Sequence, residues 1–219
     1  MTARVHPLAG IIAAIARAIS GVQVRNLSTA PAGGQRIYFA NHTSHLDFVV
    51  LWSALPSESR ARTRPIAAKD YWRSGIKSFL AERVFRAVLV DRKRVASHEA
   101  GEIRPHAGAF AVIDQMAEAL GETDSLIIFP EGTRGTGEIV APFRSGLFHL
   151  AKKRPDVELM PVYLENLNRI LPKGEFFPVP LISLLTFGAP MHPENGEGKN
   201  EFLERAHTAV CSLRRTKET

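Results

Sequence analysis

At 219 residues the chain has room for one domain or a tight pair, and it can bury roughly two-thirds to three-quarters of its unfolded surface without covalent staples. A single cysteine, Cys211, excludes an internal disulfide framework and a zinc site built from several thiolates, while a 45% hydrophobic and 23% charged composition argues against disorder. The net charge of +6 is concentrated, with twelve Lys or Arg against five Asp or Glu in residues 60–104 and sixteen against seventeen elsewhere, so the expected partner is anionic: nucleic acid, a lipid surface or a phosphorylated substrate.

Residues 1–25 form a segment of their own, with Arg4, Arg17 and Arg25 but no acidic group. Pro7 suits the first turn of a helix and Gly21 its stop. Between them Leu8, Ile11, Ile12, Ile15, Ile19 and Val22 recur at helical spacing as one apolar stripe, with Ala13, Ala14, Arg17 and Ser20 off it. A helix over residues 7–20 is about 21 Å long, so it can lie in a bilayer interface but cannot cross a hydrocarbon core of about 30 Å. Three readings stay open here: an amphipathic helix packed on the domain, docking at a membrane, and cleavage as a signal peptide at Ala14-Ile15-Ala16. No uncharged apolar run reaches the length of about 18 residues that a polytopic membrane protein needs.

Residues 26–219 alternate between strand and helix patterns and read as a single domain. Apolar, β-rich runs at 36–40, 65–68, 84–90, 126–129 and 158–164 predict strands, with a late one at 181–187. Between them Phe48, Leu51, Trp52 and Leu55 make one helical face, and Phe110, Ile113, Ala117 and Leu120 make another. A helix is expected near Asp70 with Trp72 in its first turn. Another is expected near Arg144 carrying Leu147, Phe148 and Ala151, and a last one burying Phe202, Leu203, Ala206, Val210 and Leu213. This alternation predicts an α/β fold, a mostly parallel mixed sheet flanked by helices.

Three polar clusters follow predicted strands. The first is Asn41-His42-Thr43-Ser44-His45-Leu46-Asp47. In a parallel sheet such a cluster lies at the carboxyl end, where ligands bind. A turn there can bring the Asp47 carboxylate to one imidazole nitrogen of His42 and leave the other free, which makes a general base. Ser44 fits the N-cap of the following helix, and either histidine could also be structural. The second cluster is Phe129-Pro130-Glu131-Gly132-Thr133-Arg134-Gly135, where glycines permit a tight turn and Arg134 can hold a phosphate bidentately. The third is Asp91-Arg92-Lys93-Arg94. Convergence of the three on one site explains them better than three separate surface turns.

In this order the clusters resemble the blocks of the glycerolipid acyltransferase family, which contains the 1-acylglycerol-3-phosphate acyltransferases. Its first block, Asn-His followed by four residues and Asp, is met by Asn41, His42 and Asp47; its third is similar to residues 129–134. The stretch Phe143-Arg144-Ser145-Gly146 resembles the segment after it, with arginine where lysine is common, and Met160-Pro161-Val162-Tyr163 resembles the fourth block. In the second block Arg92 supplies the final arginine, while Arg86 and Leu89 stand where the family has glycine and an aromatic. The resemblance spans about residues 35–190.

The resemblance implies that His42, polarised by Asp47, deprotonates an acceptor hydroxyl that attacks an acyl thioester, with no acyl-enzyme. It implies that Arg92, Glu131, Gly132, Thr133 and Arg134 hold the acceptor's glycerol phosphate. The implied acceptor is a lysophospholipid, foremost 1-acylglycerol 3-phosphate giving phosphatidate, with another lysolipid or glycerol 3-phosphate as the alternatives. Acyl-CoA or an acyl carrier protein would donate; neither a metal nor a further cofactor is implied. A lipid acceptor favours membrane docking of the N-terminal helix, as a peripheral or monotopic protein on the cytoplasmic face, with the basic stretch meeting anionic headgroups or an acidic carrier.

Two other classes compete. His45-Leu46-Asp47 has the His-x-Asp spacing of a metal-binding triad, which would need a remote ligand such as His106 or His149. A nucleic-acid-binding module could use the basic stretch, with Tyr71 and Trp72 as stacking groups, though no known motif of that kind is present. A Ser-His-Asp hydrolase lacks its Gly-x-Ser-x-Gly elbow, and the P-loop signature is absent.

Overall fold

The computed structural model describes residues 6–26, 34–69, 72, 75–91, 107–170, 179 and 181–215. Their elements run α1 (Leu8–Ser20), β1 (Gln23–Asn26), β2 (Arg36–Ala40), α2 (Asp47–Ala54), α3 (Ser57–Arg62), β3 (Thr63–Ala68) and α4 (Gly75–Phe79), which continues into a π-helical turn, Leu80–Val84. After these come β4 (Val88–Val90), α5 (Ala107–Leu120), β5 (Ser125–Ile128), α6 (Gly146–Lys153), β6 (Glu158–Glu165), α7 (Leu167–Ile170), β7 (Leu184–Phe187) and α8 (Lys199–Cys211).

Successive side chains of a strand point to opposite faces, and that alternation builds the layers. Ile37 and Phe39 of β2, with Leu126 and Ile128 of β5, pack against Ile113 of α5, Leu147 and Leu150 of α6, and Phe202 of α8. Tyr38, Ala40 and Ile127 go to the other side, where they join Ala9 and Ala13 of α1 and Val50, Leu51 and Trp52 of α2. Both strands are buried on both faces, which is why they read as continuous apolar runs. Among the described residues the sheet has seven strands in the order β1-β7-β6-β2-β5-β3-β4, parallel throughout except for the β6–β7 pair. This is the mixed, mostly parallel α/β sheet expected from the sequence.

The topology positions the site. β2 leads into α2 on one face, and its neighbour β5 leads into α6 on the other. Adjacent strands whose connections part in this way leave a crevice beyond their carboxyl ends.

Several local expectations change. The strand expected over 84–90 is confined to Val88–Val90, because Val84 and Phe85 turn into the α2 side of the core, where the Phe85 ring meets Trp52 at 5.0 Å and Phe48 at 5.1 Å. Arg86 then takes a left-handed φ of 51°, the conformation a glycine would adopt freely. Its guanidinium is held by Asp124 Oδ2 at 2.7 Å and the Ala61 carbonyl at 3.1 Å. Trp72 is not helical and its ring lies against Phe48 and Phe85, while Asp70, the expected start of that helix, is outside the described residues. The late strand starts at Leu184, and β1, which the sequence did not suggest, pairs with it along the sheet edge.

α1 is packed on the domain by a face adjacent to the expected one, and of the stripe residues Ile12 and Val22 are partly buried against the core. Ala9, Ala13, Ala16 and Ser20 are buried, since small side chains let the helix approach α2 closely. Ser183 Oγ donates to the Ser20 carbonyl at 2.9 Å and ties down its end. The stripe residues Leu8, Ile11, Ile15 and Ile19 point outward, 38–56% exposed. Among the described residues no helix is long and apolar enough to cross a membrane.

Part of the basic stretch is internal. Arg64 donates to the Arg86 and Ala119 carbonyls and lies 3.7 Å from Asp124, and Arg60 caps the carbonyls of Ser53 and Leu55 while sitting over the Trp52 ring. Lys69, Lys77 and Arg83 are exposed.

Candidate active site

Asn41, the first residue after β2, continues the sheet with its side chain. Its Nδ2 donates to the Leu164 carbonyl at 3.0 Å and its Oδ1 accepts the Leu164 N–H at 2.8 Å, which locks the end of β2 to the end of β6. The chain then turns so that Asp47, the first residue of α2, faces back along it. One oxygen, Asp47 Oδ2, accepts the backbone N–H groups of Thr43 at 2.6 Å and Ser44 at 2.8 Å and lies 2.8 Å from His42 Nδ1. The Asp47 side chain is fully buried, while that of His42 is 19% exposed.

A carboxylate accepts but cannot donate, so this contact places the imidazole proton on Nδ1 and leaves the Nε2 lone pair available. The Phe129 ring lies parallel to the imidazole, with centroids 4.3 Å apart and planes 19° from coplanar, and fixes the plane of the ring. Ser44 is not an N-cap. Asp47 holds its amide, and its hydroxyl accepts the Leu46 N–H at 3.3 Å before the helix begins.

The second cluster follows β5 and lies against the first. The Gly135 N–H donates to the His42 carbonyl at 2.8 Å, and the His42 N–H donates to Glu131 Oε1 at 2.6 Å. The other Glu131 oxygen accepts the Ala141 N–H at 2.9 Å. Burial pushes the Glu131 carboxyl above its ordinary range, against the opposing pull of those two amides. Gly132 adopts a left-handed φ of 74° beneath Arg144, whose Nε donates to the Glu131 carbonyl at 3.1 Å. Thr133 and Arg134 are exposed on the same loop. Burial, and then the charge of Arg134, hold the His45 imidazole below its ordinary value.

Thus His42, Asp47, Glu131, Gly132, Thr133 and Arg134 lie on two hydrogen-bonded segments that follow the neighbouring strands β2 and β5, whereas Arg92 lies outside the described residues. Some contributors could not be seen in the local sequence. Asn168 Nδ2 donates to the Thr136 carbonyl at 2.7 Å, His207 Nε2 to the Val140 carbonyl at 3.0 Å, and Arg214 to the Glu138 carbonyl at 3.0 Å, so α7, α8 and the turn after α8, all distant in sequence, pin the arginine-bearing loop. Among the described residues no group of three or more His, Cys, Asp or Glu could hold a metal ion. His149 lies against Phe110 and Phe148, and His106 is outside the described residues.

Gly132 gives a direct test of the loop. A methyl group there would stand 2.5 Å from Arg144 Nε and 2.8 Å from its Cδ. The left-handed backbone adds about 1–2 kcal/mol for a non-glycine residue, so Gly132→Ala should lower the melting temperature by about 2–8 °C. Gly135→Ala, whose methyl group meets nothing closer than 3.6 Å, should change it much less. Thermal unfolding of the pair checks this, and equal shifts would contradict it.

The family model described as Acyltransferase matches residues 21–165. Over 158 residues the chain is 29% identical to the 1-acyl-sn-glycerol-3-phosphate acyltransferase alpha of Homo sapiens, covering 70% of this chain and 49% of that protein. It is 27% identical over 151 residues to the 1-acyl-sn-glycerol-3-phosphate acyltransferase of Salmonella typhimurium, covering 66% and 53%. The chain spans about half the length of the curated relatives it matches. The fold is similar to the crystal structure of the 1-acyl-sn-glycerophosphate (LPA) acyltransferase PlsC from Thermotoga maritima, with a TM-score of 0.68 at 19% identity over 96% of this chain and 82% of that one.

Proposed function

Since the chain belongs to the acyltransferase family, we propose that it moves a fatty acyl group from a thioester to the free hydroxyl of 1-acylglycerol 3-phosphate, giving phosphatidate. The observation that carries this reading is the His42–Asp47 pair, with an available Nε2, on a turn tied to the Arg134 loop.

His42 Nε2 takes the proton of the acceptor hydroxyl while Asp47 stabilises the imidazolium that forms. The acceptor oxygen attacks the thioester carbonyl, a C–O bond forms and the C–S bond breaks. The thiolate leaves with the proton that His42 gives back, so the base is regenerated. Arg134 and Thr133 hold the acceptor phosphate, with Arg92 as a further ligand by the family resemblance. Acyl-CoA or an acyl carrier protein serves as the donor, and the reaction as written uses no other cofactor.

The acceptor reaches the site from a bilayer on which α1 docks. The Leu8, Ile11, Ile15 and Ile19 stripe forms one side of the docking face. Phe79, 44% exposed, has its ring 5.5 Å from that of His6 at the start of α1 and carries the apolar surface onto α4, where Ile76 is 78% exposed. At the other end Ile182, 61% exposed, lies beside Gly21. An apolar face of this extent suits the headgroup–acyl boundary. Docking is on the cytoplasmic side, where soluble acyl thioesters are found.

The test uses purified protein, vesicles containing lysophosphatidate and a long-chain acyl thioester, with thiol release and lipid products followed together. Phosphatidate is the expected product. Product from a different lysolipid or from glycerol 3-phosphate, but none from lysophosphatidate, would move the assignment to that acceptor. Arg134→Ala should raise the acceptor KM about ten- to a hundredfold, since a hydrogen bond to a charged group is worth about 1.5–3 kcal/mol. An unchanged KM would take Arg134 out of acceptor binding.

A further inference from the structure

We infer that Glu131 is a positioning residue that holds the base-bearing turn in register with the arginine loop, and that it is not a ligand of the acceptor phosphate. Its kinetic test rests on the acyl-transfer reading above; its spectroscopic test does not.

Both carboxylate oxygens of Glu131 are occupied by backbone amides. Oε1 accepts the His42 N–H at 2.6 Å and Oε2 accepts the Ala141 N–H at 2.9 Å. The residue is buried, at 4% exposure, whereas its neighbours Thr133 and Arg134 are exposed. A buried carboxylate has no charge complementarity to offer an anionic phosphate, and it repels one. What it does offer is a pair of acceptors spaced to take two N–H groups from segments that meet only in the tertiary structure. The His42 carbonyl, bonded to the Gly135 N–H at 2.8 Å, closes the same junction from the other side. His42 is therefore clamped by its own backbone on both sides, and the Nδ1–Asp47 contact is built on that clamp.

Glu131→Gln separates the two roles. The amide keeps the shape and one acceptor but turns a donor towards the other N–H, so the junction loosens. The expected result on lysophosphatidate vesicles is a kcat lower by about tenfold or more, with the acceptor KM within about twofold of wild type, because misplaced reacting groups cost rate rather than ground-state binding. In nitrogen-15 spectra of the histidine rings, with the His42 signals assigned by their loss in His42→Ala, wild type should show one Nδ1-protonated tautomer. Glu131→Gln should show averaging of the His42 ring alone, with His149 unchanged as the sign of an intact fold. A raised KM at unchanged kcat, with His42 ring signals like those of wild type, would overturn the inference and make Glu131 an acceptor ligand. If wild type turned over no acyl acceptor, the ring spectra would decide alone: averaging in Glu131→Gln supports the clamp, and an unchanged tautomer refutes it.

Discussion

Replacing His42 by alanine should lower the rate of phosphatidate formation by about a hundred- to ten-thousandfold, the range a positioned general base contributes. The effect belongs in kcat, with the acceptor KM little changed, because Arg134 and the rest of its loop are untouched. The substitution is clean for a structural reason. The backbone of residue 42 makes the contacts that hold the turn, through its N–H to Glu131 and its carbonyl to Gly135. Alanine keeps both. Asp47 is a poorer probe, since its Oδ2 carries the Thr43 and Ser44 amides as well as the imidazole contact, so its replacement would disturb the turn and the base together. Steady-state kinetics of His42→Ala, with matched circular dichroism, is the measurement. Activity within a few-fold of wild type would remove His42 as the base.

The second large effect is expected at the membrane. In the double variant Ile11→Asp, Ile15→Asp, two side chains 56% and 53% exposed in the free protein lose their apolar contribution to docking. Each half-exposed isoleucine contributes about 1 kcal/mol when the remainder is buried, and the two new carboxylates oppose insertion beside anionic lipids, so vesicle partitioning should fall about a hundredfold or more. The fold should be unaffected, because α1 is packed through Ala9, Ala13 and Ala16 on its other face. Flotation with vesicles of zwitterionic and anionic lipid measures the partitioning, and thermal unfolding checks the fold. Unchanged flotation with an intact fold would remove α1 as the docking element. A large loss of melting temperature would instead mean that the stripe packs inward.

The strands show how far local pattern reaches. β2 was legible to the residue, and β5 and β6 to within one, because strands buried on both faces leave unbroken apolar runs. β1 was not, since Gln23–Asn26 is exposed throughout and is a strand only because β7 is there to pair with it. α3 is Ser57–Arg62, a polar helix with no buried residue and hence no periodicity to detect. The run 84–90 misled because Val84 and Phe85 are as apolar as strand residues, while their burial against Trp52 calls for a helical turn. Arg86 is the converse case. The family resemblance marked that position as one for glycine, and the backbone there is left-handed although the residue is arginine.

What the sequence determined by itself is what short stretches of covalent chain dictate: period-2 and period-3.6 patterns, the order of strands and helices, and a histidine and an aspartate five residues apart that one turn can bring together. It also determined the existence of an apolar stripe on α1. Only the tertiary structure decided which face of that helix is packed, because alanines approach a neighbouring helix more closely than isoleucines can, and the competition between the two faces is settled by the shape of α2 rather than by hydrophobicity. In the same way the motif spacing grouped Glu131 with Arg134, but their different surroundings follow from a partner 89 residues away, where the His42 amide needs an acceptor and the buried Glu131 carboxylate supplies it.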